Sequence, residues 1–400
     1  MSKPWLTLVG IGEDGREGLS RTARAALDGA NLVVGGRRHL ALAGPLACET
    51  MIWPSPIENA MPKICERRGT PVVVLATGDP FHYGIGAMLS QNFLPAEIMS
   101  IPQPSAFSLA ASRLCWSLQD VACVSLHGRD EAGLIRHLAP GREILVLSWD
   151  GDTPKRVAQT LNERGLGASR LVVLEAMGGA RERIRETTAS AFDLSGIDPL
   201  NTIAIHCAGD GDISWSRACL PDDAFEHDGQ ITKQGIRAVT LAALAPRGGE
   251  CLWDIGAGSG SIAIEWQRAD CRNKALAIES KPERSERIAR NAGKHGVTVE
   301  VVTGKAPEAL ASLPVPDAVF VGGGVSDPAV MDHAMAALRA GGRLVANAVT
   351  LEAQAHLARL HGEHGGALTL LQHADATPVG TFRGWKQAMP IVQWRWGKPS

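Results

Sequence analysis

Four hundred residues exceed what one ordinary hydrophobic core supports, so two domains, or three, are expected. A hydrophobic fraction of 45% and a charged fraction of 20% describe a globular chain rather than a disordered or fibrous one. The net charge of -2 excludes a global field drawing the chain to nucleic acid or an anionic membrane, so any anionic substrate must be met by local Lys and Arg.

The eight cysteines contain no C-x-x-C and no pair near two histidines at zinc-finger spacing. Idle thiols in a reducing cytoplasm are expected, with no metal site. Met1-Ser2-Lys3-Pro4-Trp5 leads straight into a strand, without the charged leader and apolar run of a signal peptide. No run of about eighteen apolar residues offers a membrane span.

In chain order, strands are expected at Leu6–Gly10, Leu32–Gly35, Val72–Ala76, Val121–Ser125, Ile144–Ser148, Leu171–Glu175 and Thr202–Cys207. Many are β-branched runs without alternation, as strands buried on both faces require. Helical spacing in Ser20–Gly29 and Thr153–Arg164 separates some of them, which makes the class α/β. The Gly-, Asp- and Pro-rich segment Ala208 to Gly229 reads as a boundary between domains at 1–212 and 225–400.

The second half opens with a helix over Thr232–Leu244, then strand Cys251–Ile255, a glycine turn and a helix over Ser259–Arg268. Strand Lys274–Glu279, helix Pro282–His295, strand Thr298–Thr303, helix Ala306–Leu313, strand Ala318–Val321 and helix Pro328–Leu338 follow. Strand Arg343–Ala348, helix Glu352–Glu363 and two β-like runs, Ala367–Gln372 and Met389–Trp396, complete it. Five βα units and a terminal strand pair give the doubly wound order of a Rossmann-like methyltransferase sheet.

The turn Asp254-Ile255-Gly256-Ala257-Gly258-Ser259-Gly260 joins a strand to a helix, which sets backbone N–H groups and a helix N-terminus against a ligand. Alone it fits NAD binding or tight packing equally. Asp254 would repel a pyrophosphate and favours S-adenosylmethionine, which carries an ammonium and a sulfonium. Glu279, at the end of the next strand, is suited to accept both ribose hydroxyls. Gly304-Lys305-Ala306-Pro307 is placed to flank an adenine, and Gly322-Gly323-Gly324 permits close backbone approach.

The ordered motifs D-G-Q-I-T-K-Q-G-I-R, D-I-G-A-G-S-G, G-K-A-P-E-A-L, F-V-G-G-G and G-G-R-L-V-A-N-A-V-T-L-E resemble the decarboxylating precorrin methyltransferase domain of cobalamin biosynthesis. Upstream, L-V-G-I-G-E-D-G, A-T-G-D-P-F-H-Y-G, P-Q-P-S-A-F-S-L-A, S-L-H-G-R and D-P-L-N-T-I-A-I resemble the tetrapyrrole methylase family. That family has a second methyltransferase fold, with its cofactor in a cleft between two α/β subdomains. The fusion resembles the bifunctional family that methylates carbons 5 and 15 of a precorrin.

The resemblance implies that the first half methylates carbon 5 of precorrin-6B. The second half would remove carbon dioxide from the ring C acetate and methylate carbon 15, giving precorrin-8X. One S-adenosylmethionine site is implied per domain. By the resemblance, Thr232, Gly256, Ala257, Gly258, Ser259, Gly260, Glu279 and Ala306 contact cofactor in the second half, as do Gly78, Asp79, Tyr83, Ser105 and Ala106 in the first. The chain departs from the family pattern at Glu13, Gln103 and Lys305.

Methyl transfer from a sulfonium needs alignment more than acid–base help, and alignment can supply about 7–11 kcal/mol. Lys233, Arg237, Arg383 and Lys386 are the candidates for gripping substrate carboxylates, against the plainer reading of solvated surface cations. His361-x-x-His364 reads as a helix end rather than a metal site. One of His82 and His127 is a candidate substrate contact. The chain is expected to work in the cytoplasm as a homo-oligomer. A rival reading makes one half a non-catalytic binding or dimerisation module.

Overall fold

A computed structural model of the chain describes residues 4–128, 130–211 and 219–399. Arg129 of the S-L-H-G-R motif, and 212–218 within the expected boundary segment, lie outside the described residues. The chain divides into two compact units: the described residues of 1–131 and 137–212, and those of 132–136 and 213–400.

The first unit holds two five-stranded sheets. β1 (Leu6–Ile11), β2 (Leu32–Gly35), β3 (Glu49–Ile52), β4 (Val72–Thr77) and β5 (Ile98–Ile101) form a parallel sheet in the order β3-β2-β4-β1-β5. Its central strands lack alternation because both faces are covered. Leu6, Leu8, Val72 and Val74 pack into one core, while Val9, Ile11, Val73 and Leu75 pack into another.

β6 (Ala122–Ser125), β7 (Glu143–Leu147), β8 (Arg170–Glu175), β9 (Arg183–Thr188) and β10 (Asn201–His206) form the second sheet, ordered β6-β7-β10-β8-β9. Only β6 and β7 run parallel there; the remaining pairs are antiparallel. β3, β5 and β9 were not expected from the sequence. β3 and β9 are sheet edges with charged, largely exposed residues, and β5 is a short, half-exposed edge.

The second unit is built on a seven-stranded sheet. β11 (Cys251–Ile255), β12 (Lys274–Glu279), β13 (Glu300–Thr303), β14 (Ala318–Val321) and β15 (Arg343–Ala348) are parallel. After β16 (Ala367–Leu371) comes a separate hairpin of β17 (Ala374–Val379) and β18 (Phe382–Gln387), and then β19 (Ile391–Gly397). The order β13-β12-β11-β14-β15-β19-β16 inserts antiparallel β19 between β15 and β16. This is the doubly wound order that the sequence led us to expect.

Two departures are local. Residues 308–310 form one 3-10 turn where a helix over Ala306–Leu313 was expected, and the long polar stretch before Met389 is the β17–β18 hairpin. Among the described residues no helix is long and apolar enough to cross a membrane.

Candidate functional site

In the second unit a cleft of about 760 Å³ opens at the carboxyl ends of the parallel strands. This is where an open α/β sheet places ligands. Asp254, Gly256, Ala257, Gly258, Glu279, Ala306 and Thr232 all line it. Gly256 has φ +73°, and a Cβ there would stand 2.6 Å from the backbone of Gly323. The first glycine loop and the triple glycine after β14 therefore meet backbone to backbone, and only glycine fits.

The two expected acids are held differently. Glu279 is buried; its Oε2 accepts the N–H of Gly258 at 2.9 Å, and its Oε1 accepts that of Lys281 at 3.0 Å. Its position is thus fixed by the loop it faces. Asp254 is 1% exposed, and its Oδ2 accepts the N–H of Ala263 at 3.0 Å. Its Oδ1 is buried without a hydrogen-bond partner. Burial, with a smaller contribution from the charge of Glu279, raises its carboxyl to about 7. A lining carboxyl with one unpartnered oxygen fits a cationic ligand and disfavours an anionic one.

Not every expected contact reaches this cleft. Ser259 and Gly260 are buried behind the loop. The Ser259 carbonyl accepts Asn291 Nδ2 at 2.9 Å, and Gly260, with φ +75°, leads into the helix Ser261–Ala269 against Ile288. They shape the loop rather than line the cleft. Arg237 also requires correction as a substrate grip. Its side chain is fully buried, donating to the Thr232 carbonyl at 2.6 Å and to the Leu220 carbonyl, and pairing with Asp222 at 3.2 Å. Its guanidinium lies over the Phe225 ring, 4.9 Å from the centroid.

Lys233 does line the cleft, with its amine 3.4 Å from Asp222. Arg383 and Lys386 are exposed on β18 and are not among the lining residues. Among the lining residues that the sequence reading did not single out are two polar ones, Arg284 and Asn347. Arg284 donates to Asp228 at 2.9 Å. Asn347 is held by Thr240 at 2.9 Å and Gln393 at 2.9 Å. Arg284 sits at a plain helix position without a motif to mark it, while Asn347 falls inside the G-G-R-L-V-A-N-A-V-T-L-E motif but was not singled out.

In the first unit a second cleft, of about 580 Å³, is lined by Gly78, Tyr83, Ser105 and Ala106, as expected. Ser105 caps the helix Ala106–Leu114 by accepting the N–H of Ser108 at 3.2 Å. The Tyr83 hydroxyl donates to the Cys123 carbonyl at 3.1 Å. Asp79 is not among the lining residues; its Oδ1 accepts the Phe81 N–H at 2.9 Å and holds the turn. His82 and His127 both line the cleft, and the His127 ring packs against Trp149, tilted by 31° with centroids 5.2 Å apart.

Glu13, one of the positions where the sequence departs from the resembled pattern, is a lining residue. Its carboxylate pairs with Arg38 and, at 3.2 Å, with Arg181. Arg38 also donates to the Thr77 hydroxyl at 2.7 Å, beside His39, whose nitrogen lies 2.8 Å from that hydroxyl. Burial, and then the Arg38 charge, lower His39 to about 4, so it is neutral at physiological pH. No group of three or more His, Cys, Asp or Glu among the described residues could hold a metal ion.

Residues 223–398 match the family described as the precorrin methyltransferase domain, and residues 5–193 match the tetrapyrrole (corrin/porphyrin) methylases. The chain is 52% identical over 399 residues to a precorrin-6Y C(5,15)-methyltransferase (decarboxylating) of Sinorhizobium sp, spanning 99% of this chain and 97% of that protein. It is 41% identical to the protein of the same description from Mycobacterium tuberculosis, spanning 97% and 98%. A solved C-terminal domain of precorrin-6Y C5,15-methyltransferase from Rhodobacter capsulatus is 49% identical, covering 44% of this chain and 96% of that one, with a TM-score of 0.43.

Proposed function

The chain belongs to the decarboxylating precorrin-6Y C(5,15)-methyltransferase family, and from that premise we propose that each of its two clefts binds one S-adenosylmethionine. The chain is an S-adenosylmethionine-dependent C-methyltransferase of cobalamin biosynthesis. Its domains are 1–212 and 225–400, each carrying one of these clefts. The first methylates carbon 5 of the precorrin; the second removes carbon dioxide from the ring C acetate and methylates carbon 15.

One observation carries the assignment in the second unit. Asp254, whose buried Oδ1 has no hydrogen-bond partner, is a lining residue of the cleft that the glycine loop and Glu279 also line. Bound there, the cofactor supplies an electrophilic methyl on a sulfonium. Asp254 accepts its cationic end. Glu279, already anchored by Gly258, keeps capacity to accept from the ribose hydroxyls. The backbone at Ala306 flanks the adenine. Lys233 meets a substrate carboxylate at the rim, and Arg383 and Lys386 reach for others from β18.

In the first unit Gly78, Tyr83, Ser105 and Ala106 hold the cofactor, and the Trp149 and His127 rings on the cleft wall offer aromatic contact to the macrocycle. Catalysis rests on alignment of a reactive carbon with the methyl group. The chain works in the cytoplasm as a homo-oligomer. The exposed Val379, Phe382 and Trp385 of the β17–β18 hairpin support self-association.

Incubation with precorrin-6Y and cofactor tests the whole reading by product mass. A gain of two methylenes and loss of one carbon dioxide is expected. Retention of the carboxyl refutes the decarboxylation, and a single methyl gain refutes two working clefts.

A further inference from the structure

The segment entering the second unit's cleft runs along the helix Pro282–Lys294 before it reaches Gly229, Gln230, Ile231 and Thr232, which line the cleft. It is fastened there residue by residue. The Ala224 carbonyl accepts Lys294 Nζ at 2.8 Å and lies 3.0 Å from His295 Nε2. Glu226 pairs with Arg290 at 3.0 Å. Asp228 pairs with Arg284 at 2.9 Å and Arg287 at 3.2 Å, which hold its carboxyl well below the usual range.

Beneath this strap, on the helix, sits Asn291, fully buried. Its Oδ1 accepts the N–H of Glu226 at 2.8 Å. Its Nδ2 donates to the Glu226 carbonyl at 3.0 Å and to the Ser259 carbonyl at 2.9 Å. Both amide protons are used, and their two acceptors belong to the strap and to the glycine loop. Those two segments face each other across the cleft wall, since a Cβ on Gly258 would stand 3.4 Å from the Gln230 carbonyl.

We infer that Asn291 is a positioning residue for the second unit's cofactor, its amide locking the strap and the glycine loop into one body so that both cleft walls are set together. The inference rests on the reading of this cleft as a cofactor site. Only an amide meets the need. A carboxylate at 291 would keep the bond from the Glu226 N–H but would face two carbonyl oxygens with no proton to offer. Protonation returns one of the two donors, so an Asp there becomes a pH-gated version of the native Asn.

The test is calorimetric titration of the full chain with S-adenosylmethionine, comparing Asn291→Asp and Asn291→Ala with the parent. At pH 8, Asn291→Asp should weaken the second-unit site by about 10- to 100-fold, the loss expected for two donors facing buried acceptors. Lowering the pH to about 5.5 should recover much of that loss relative to the parent at the same pH. Asn291→Ala should be weak at both. The first-unit site should be unmoved in every variant, and the KM for cofactor should rise far more than kcat falls.

Unaltered second-site affinity in Asn291→Asp at pH 8, or weakening without recovery at low pH, overturns the inference. Should the parent bind one cofactor only, with Asp254→Asn leaving that binding intact, the underlying cofactor reading fails instead. Hydrogen exchange on the parent chain covers the case in which the variants do not fold. Adding S-adenosylhomocysteine should slow exchange at Glu226 at least tenfold, although Glu226 does not line the cleft. Unchanged protection there counts against the locking role.

Discussion

Asp254 and Glu279 stand at the carboxyl ends of adjacent parallel strands, and Glu279 adds to burial in raising the Asp254 carboxyl to about 7. A cationic ligand reverses this balance, because it favours the ionised form. With the Asp254 carboxyl at about 7 in the free protein, binding of S-adenosylmethionine to the second unit should release a proton in the range below and around pH 7. Affinity should rise about tenfold from pH 6 to pH 8. Titrations in two buffers of different ionisation heat read the proton release directly; a flat pH profile excludes the Asp254 contact.

The same carboxyl costs stability. Its folded value lies above the ordinary aspartate value, so the folded state holds more protons than the unfolded state between about pH 4 and 7. Its stabilising balance is therefore lost as pH rises through that window. Asp254→Asn keeps an oxygen for the Ala263 N–H and removes the buried charge. It should raise the melting temperature at pH 8 by several degrees and by much less at pH 4.5, since about 1 kcal/mol moves a unit of this size by about 2–4 °C. The same variant should lose the carbon 15 reaction while retaining carbon 5 methylation.

Arg237 and Lys233 are close in sequence and should fail in opposite ways. Arg237→Ala leaves the buried Glu265 and the half-buried Asp222 short of a partner, and removing one member of a buried pair costs about 3–5 kcal/mol. A melting scan should show the second unit strongly destabilised. Lys233, more than half exposed at the cleft rim, should behave as a binding residue. Lys233→Ala should raise the KM for precorrin about 3- to 10-fold with the melting curve unchanged.

Glu13→Gln should uncouple the two reactions from the other side. Its carboxylate is the counter-charge of Arg38 and Arg181 in the first unit. Without it Arg38 no longer holds its place beside Thr77, and carbon 5 methylation should slow about tenfold. Product mass should then report decarboxylated, singly methylated material. Equal slowing of both methylations would show that Glu13 acts through the fold as a whole.

The legible parts of the sequence were those where one physical demand dominates. Runs such as Val72–Thr77 and Lys274–Glu279 are buried on both faces and show as apolar strands. Glycines at positive φ show as motifs. β9 was hidden because an exposed edge tolerates Arg-Ile-Arg-Glu-Thr-Thr, which carries no core signal. Ser259, Gly260 and Asp79 fall in the expected turns but do not line the clefts, since a motif does not say which of its residues face the cavity. Asn291 gave no signal at all: its partners lie 65 and 32 residues away along the chain, and only the packed helix brings them together.

The place of β19 in the sheet has a consequence for how the second unit is made. Until Ile391–Gly397 is available, β15 and β16 cannot be joined, and β15 presents an unpaired edge along Arg343–Ala348. An emerging polypeptide must hold that edge open through the whole β17–β18 hairpin before the filler strand arrives. Interrupted synthesis short of Ile391 would therefore yield a sheet with a sticky, strand-seeking margin rather than a smaller working enzyme.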